Sequence, residues 1–318
     1  MLSIATEGLT KQFDRHVAVN DVELQVEIGE VYGLIGPNGA GKTTLIRMLA
    51  AAEEPTLGEI YIHGERLLRD DSNLHLKQLL GYLPDDFPLY EDLTVWDYLD
   101  YFARLYRLRQ PHRRWRLSEI LELVDLSSKR HSLVATLSRG MKQRLSLART
   151  IIHQPLLLFL DEPVSGLDPI ARMKFREIVK VLQQEGMTIL ISSHVLSDLA
   201  ELCTSVGIME LGYLVESASL EQLYSRLSRQ QIILSTLGHI QELEVELKNN
   251  PLVEGWEVLP PGIRDGGGSL KVNFSGNTQD SAALLQSLVA ANIPLTEFHC
   301  TQEDLETIFL KLEHKQVS

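Results

Sequence analysis

Cysteine is nearly absent: Cys203 and Cys300 are the only two in 318 residues, far apart and without C-x-x-C spacing. That argues against a disulfide-stapled scaffold or a thiolate metal centre. Reduced, structural thiols of a cytosolic protein are the expectation. Long apolar runs are absent too. No stretch approaches the ~20 residues that a membrane-crossing helix needs, and the opening MLSIATEGLTK lacks the apolar h-region of a secretory signal. The chain is therefore expected not to span a bilayer by itself. Positive charge is in deficit: 30 Lys+Arg stand against 43 Asp+Glu, a formal charge of −13. A general nucleic-acid binder needs a basic footprint to neutralise phosphates, so no nucleic-acid partner is expected. What the chain does have is 44% hydrophobic residues, ample for packed cores, and a length that suggests two domains.

The strand-like run Val31-Tyr32-Gly33-Leu34-Ile35 leads into GPNGAGKTT, residues 36–44. This fits G-x-x-x-x-G-K-[ST], a loop that holds nucleotide phosphates. Glycines are needed there because backbone N–H groups must converge on the phosphates with no Cβ in the way. Gly36, Pro37, Asn38, Gly39, Ala40, Gly41, Lys42, Thr43 and Thr44 are thus candidate nucleotide-binding residues. Lys42 can reach the β- and γ-phosphates, and the Thr43 hydroxyl can ligate Mg²⁺. Leu45, Ile46, Met48 and Leu49 predict a following helix whose positive end faces the phosphates. The chain is expected to bind a nucleoside triphosphate.

Downstream, the apolar run in LLLFLDEP (residues 156–163) reads as a parallel-sheet strand buried on both faces. Asp161 and Glu162 stand at its carboxyl end, where α/β sheets place their ligands. In phosphate-loop chemistry the Asp holds the Mg²⁺ shell, and a neighbouring carboxylate can orient or deprotonate the attacking water. A second apolar strand, residues 188–191, ends in Ser192-Ser193-His194, which places His194 to touch the γ-phosphate of the same nucleotide.

These residues, with those between them, resemble the nucleotide-binding domain of ATP-binding cassette (ABC) transporters. LSRGMKQRLSLAR, residues 137–149, looks like the family signature LSGGQ and its helix; SGLD, residues 165–168, matches the D-loop; His194 matches the switch histidine; and PTLGEIYIHGE, residues 55–65, matches the strand pair after the phosphate-loop helix. The resemblance covers residues 1–218 with every motif in order. It implies an α/β fold: a phosphate-loop cassette with a parallel sheet core, an antiparallel β subdomain and a helical subdomain. By the same resemblance Glu162 is the general base, with Lys42 and His194 the other catalytic residues. Phe13 stacks on adenine, Ser138 and Gly140 of the signature bind nucleotide, and Thr43, Asp85 and Asp161 serve the metal. Two stretches depart from the family pattern: Arg139 and Met141 replace a glycine and the final glutamine of the signature, and Asp85 replaces the Q-loop glutamine.

The resemblance further implies ATP and Mg²⁺ as cofactors and a homodimer, because the signature of one chain covers the ATP of the other. It also implies a separate transmembrane permease as partner, with peripheral contact at the cytoplasmic face of the membrane. An exporter of the ABC type 2 branch is the expected role; the alternative is a soluble or regulatory ABC ATPase not engaged in transport. A capping box at Thr94 predicts an amphipathic helix to about Leu108, with Trp96, Leu99, Phe102, Ala103 and Tyr106 on one face. Arg107, Arg109, Arg113, Arg114 and Arg116 follow as a basic cluster, read as a solvated helix end or as contact with anionic lipid or an acidic loop. From residue 219 the chain carries 13 acidic and 7 basic residues, a net charge of −6, and no phosphate or metal motif. Residues 219–318 are expected to form a small α+β domain. Its strands are predicted at residues 244–247 and 270–274, turns at 260–262 and 266–268, and helices at 281–291 and 303–312.

Overall fold

β4 (Val31–Ile35) is buried at every residue, and so are β8 (Leu157–Leu160) and β9 (Thr188–Ser193). Strands buried on both faces in this way suit the middle of a parallel sheet covered by helices. With β7 (Leu80–Leu83), β10 (Ser205–Glu210) and β11 (Tyr213–Ser219) they form a six-stranded sheet ordered β11-β10-β4-β9-β8-β7. Every pair in it is parallel except β10–β11. Ile35 lies opposite Ser193, and Leu160 opposite Ile191. The carboxyl ends of β4, β8 and β9 therefore finish side by side.

The computed structural model describes residues 1–68, 73–195, 199, 202–227, 230–259 and 268–302. It divides into two units, Met1–Glu221 and Gln222–Ser318. In the first unit an antiparallel sheet of β1 (Leu2–Phe13), β2 (His16–Val22), β3 (Gln25–Glu27), β5 (Leu57–Ile62) and β6 (Glu65–Arg66) runs in the order β2-β1-β5-β6, with β3 also on β1. Ile4, Leu9, Val19, Ile60 and Ile62 of this sheet share one core with Leu45, Ile46 and Leu49 of α1 (Lys42–Leu49) and Leu34 of β4. The first unit also holds α2 (Leu74–Gln78), α3 (Val95–Leu105), α4 (His112–Leu123), α5 (Arg139–Ile151) and α6 (Pro169–Gln184). Among the described residues no helix is long and apolar enough to cross a membrane.

Thr94 caps α3 as its sequence predicts, accepting from the Asp97 N–H at 3.1 Å. The buried face differs from the expected stripe: Val95, Tyr98, Leu99 and Ala103 are inside, while Tyr106 is 45% exposed and stacks on His153 with ring centroids 4.0 Å apart. The arginine cluster also splits. Arg116 is buried, donating to the Ile151 and Ile152 carbonyls at 2.8 and 3.3 Å, and Arg113 pairs with Asp100 at 2.8 Å. Those two arginines hold the helical region together; Arg107, Arg109 and Arg114 are the exposed remainder.

α7 (Leu220–Leu227) spans the division between the units. The second unit then runs β12 (Gln230–Thr236), α8 (Ile240–Asn249), β13 (Val253–Leu259), β14 (Gly268–Phe274), α9 (Thr278–Ala290) and β15 (Leu295–Gln302). Its sheet is antiparallel, in the order β13-β14-β12-β15. This is the β-α-β-β-α-β arrangement of a split βαβ pair. Leu243 and Leu247 of α8 and Leu284 and Leu288 of α9 pack with Ile232, Leu234, Leu270, Val272 and Phe274. The strand expected at 270–274 lies within β14, and the helix expected at 281–291 lies largely within α9. The strand expected at 244–247 is instead part of α8: Leu243 and Leu247 fall on one helical face, and the alternation between them was a shorter sample of that period. The turns expected at 260–262 and at 266–267, and the helix expected at 303–312, lie outside the described residues.

Candidate functional site

The loop after β4 is shaped by close approaches of backbone to backbone. Gly41 sits at φ +103°, and a Cβ there would run into the Ala18 carbonyl; one on Gly36 would run into the Met209 carbonyl. Residue types other than glycine are excluded by both sterics and dihedral at Gly41. Gly41 is also the N-cap of α1 and supplies no side-chain cap. The first-turn N–H groups of that helix, Thr43 and Thr44 among them, are therefore directed at whatever anion the loop holds. Pro37, Asn38 and Gly39 form the exposed rim, and Ala40 is buried beneath it.

Lys42 is 5% exposed and lies along its own loop, donating to the Gly36 and Pro37 carbonyls at 2.8 and 3.2 Å. Its Nζ is 3.4 Å from Glu162 Oε1. Glu162 Oε2 in turn meets His194 Nδ1 at 2.7 Å. One carboxylate thus joins the lysine of the phosphate loop to the histidine of the third strand. Glu162 has φ +47°, a sparsely populated conformation for a non-glycine residue. Two bonds hold it there: its N–H donates to Ser192 Oγ at 2.9 Å, and its carbonyl accepts from the Ser165 N–H at 3.1 Å.

Asp161 is 1% exposed. Its Oδ1 accepts from Ser192 Oγ at 2.8 Å and from Thr43 Oγ1 at 3.2 Å; its Oδ2 is buried and has no hydrogen-bond partner among the described residues. Burial pushes the Asp161 carboxyl above the usual carboxylate range, the Ser192 and Thr43 hydroxyls oppose this, and the charges of Asp85 and Glu162 add to it. A buried carboxylate with an orphaned oxygen fits a hard cation. No cluster of three or more His, Cys, Asp or Glu side chains suited to a metal exists among the described residues. One carboxylate and one hydroxyl are what Mg²⁺ takes from a protein when phosphates and water complete its shell.

Asp85 follows β7, whose Leu83 carbonyl accepts from the Asp161 N–H at 2.9 Å. Burial lifts the Asp85 carboxyl, and the charges of Glu162 and Asp86 lift it further, while those of Arg139 and His194 pull it down. Asp85 therefore belongs to the same electrostatic neighbourhood, although the described residues give it no hydrogen bond to Thr43 or Asp161. Phe13 lies at the end of β1, opposite His16 in the hairpin, 44% exposed, with Lys11 Nζ 4.9 Å from its ring centroid.

Ser138 caps α5, accepting from the Met141 N–H at 3.3 Å, and is exposed. Gly140 is buried, and a Cβ there would come within 2.7 Å of the Ala171 Cβ on α6. The glycine is thus required for α5 and α6 to approach, apart from any contact its N–H makes with a ligand. Gly140→Val is expected to cost roughly 2 kcal/mol through overpacking and to lower the unfolding midpoint by about 5 °C, readable by thermal melts. An unchanged midpoint would show that the helices are not in contact there.

The structure therefore brings Lys42, Thr43, Asp161, Glu162 and His194 together. Among the described residues no hydrogen bond or ion pair links Phe13, Ser138 or Gly140 to that group. Ser192 was not singled out from sequence, yet it bonds both acidic residues. The signal available for it was its place next to His194 at a strand end.

The sequence profile of the family described as ABC transporter matches residues 19–165. A Bacillus subtilis protein named as an uncharacterized ABC transporter ATP-binding protein, YxlF, is 35% identical over 314 residues, covering 99% of this chain and 100% of that one. The bacitracin transport ATP-binding protein BcrA of Bacillus licheniformis is 32% identical, covering 97% of this chain and 96% of that one. A solved structure described as the ATP binding subunit of an ABC transporter superposes with a TM-score of 0.63 at 31% identity, over 71% of this chain and 93% of that one.

Proposed function

Because this chain belongs to the ATP-binding proteins of ABC transporters, we propose that it is an ATPase subunit driving a separate transmembrane permease. It acts as a homodimer at the cytoplasmic face of the membrane, most consistently as part of an exporter. ATP binding and the phosphate-loop α/β fold come with the family. The observation that carries the reading of hydrolysis is Glu162, held between Lys42 at 3.4 Å and His194 at 2.7 Å beside a phosphate loop. A carboxylate so placed is suited to orient and deprotonate a water that attacks the γ-phosphate.

In this reading Lys42 leaves its resting carbonyls for the β- and γ-phosphates, and the loop from Gly36 to Thr44 wraps them with N–H groups. Phe13 supplies its exposed face to the adenine. Thr43 and Asp161, with Asp85 nearby, would hold Mg²⁺, which neutralises phosphate charge when bound. Ser138 and Gly140 present the N-terminus of α5 to the nucleotide of a second copy. His194 holds Glu162 and faces the γ-phosphate.

Transport is favoured over a soluble or regulatory ATPase by the full-length match to a relative named for bacitracin transport. The division near residue 221 offers a test. A chain ending at Glu221 should bind ATP with unchanged affinity. In cells carrying the membrane subunit, it should lower transport. Loss of ATP affinity in the folded short chain would mean that the nucleotide domain extends further; full transport would leave residues 222–318 without a part in coupling.

A further inference from the structure

Arg139 stands at a signature position where the family carries glycine, and its side chain turns back onto its own chain. Nη2 donates to the Ser165 carbonyl at 3.1 Å. A Cβ placed on Gly166 would be 2.6 Å from each Nη and 2.7 Å from Cζ of Arg139. Near-equal distances to three atoms of a plane mean that the guanidinium lies face-on against Gly166. That residue sits at φ +65°, a conformation that disfavours any side chain there. The segment that Arg139 grips leads directly to the catalytic carboxylate: the Ser165 N–H donates to the Glu162 carbonyl at 3.1 Å. At its other end Asp168 caps α6, accepting from the Ala171 N–H at 3.0 Å. A continuous path therefore runs from the signature residue through the two sides of one peptide-bonded serine to the backbone of Glu162.

We propose that Arg139 is a positioning residue that ties the signature to Glu162 of the same chain, so that docking of the signature on a partner's ATP sets this chain's own water-activating carboxylate. The inference rests on the two-chain reading above. Its physical basis is the planar fork: an arginine can hydrogen-bond the Ser165 carbonyl while lying flat on Gly166, whereas lysine offers a point charge with no such plane. Arg139 is exposed in a single chain, so its replacement leaves the core intact.

The test compares wild type, Arg139→Gly and Arg139→Lys in steady-state hydrolysis across ATP concentrations. Sizing of the same three chains with Glu162→Gln added, in ATP and Mg²⁺, serves as a second readout. Wild type should show a Hill coefficient above 1. Both variants should fall to a Hill coefficient of about 1 and lose kcat about tenfold, the size of one charge-assisted hydrogen bond, with KM little changed. The Glu162→Gln chains should still dimerise. A non-cooperative wild type, or variants that keep both kcat and cooperativity, would overturn the role of Arg139. Full activity of Arg139→Lys beside a defective Arg139→Gly would overturn it as well, since charge alone would then suffice. Failure of the Glu162→Gln chain bearing the native Arg139 to dimerise would instead strike the two-chain reading on which the inference rests.

Discussion

Glu162→Gln is expected to lower steady-state ATP hydrolysis about 100- to 1,000-fold, the contribution of a positioned general base. Glutamine keeps the volume beside Lys42 and can still hydrogen-bond His194, so the pocket is preserved. What disappears is the group that accepts the water proton. A negative charge next to incoming phosphates disappears with it, and Lys42, 3.4 Å from Glu162 Oε1 in the resting chain, loses a competitor for those phosphates. Nucleotide should then bind at least as tightly, and an ATP-bound dimer should persist through sizing in ATP and Mg²⁺. Turnover near the wild-type rate would remove Glu162 from the chemistry and leave its contacts with Lys42 and His194 as packing alone.

Lys42→Ala acts one step earlier. Lys42 is 5% exposed, and its ammonium is the cation set inside the phosphate loop. Its deletion removes a buried charge pair with the β- and γ-phosphates and leaves Glu162 Oε1 without its cation. Losses of a few kcal/mol are usual when one partner of such a pair is truncated, so ATP affinity should fall about 100-fold. Titration with a fluorescent ATP analogue separates this variant from Glu162→Gln, which should bind and not turn over. Unchanged affinity together with unchanged hydrolysis would mean that the loop is not the working site.

Much of the site was legible because its chemistry is local in sequence. The phosphate loop declares itself by glycine spacing, and Gly36 and Gly41 turn out to face carbonyls that no Cβ could approach. Asp161, Glu162 and His194 could be placed because apolar strands precede them, and the parallel register brings those strand ends together. Contacts between distant segments were not legible. Nothing in the residue types shows that Ser192 bonds both acidic residues, that Gly140 packs on Ala171, or that Arg139 reaches Ser165. The arginine cluster after α3 misled for a related reason. Charge in sequence reads as surface, yet Arg116 is buried because its guanidinium satisfies the carbonyls of Ile151 and Ile152 at the end of α5. In the second unit, residues 244–247 alternate like a strand over a window too short to distinguish the period of two from the helical one.

Each ATP is expected to be closed between the phosphate loop of one chain and the signature of another. Ser138→Arg should bind ATP as a monomer and hydrolyse none, because Ser138 caps α5 and, among the described residues, makes no hydrogen bond with Lys42 or the phosphate loop. Mixed with Lys42→Ala, it should regain activity. Half of randomly paired dimers then hold one intact composite site, whose Glu162 belongs to the chain with the broken signature; with the tenfold loss expected for an undocked signature, about a fortieth of the wild-type rate should return. Recovery of that order from two inactive chains is the predicted result; a mixture as inactive as its components, or a Ser138→Arg chain that hydrolyses ATP normally alone, would contradict it.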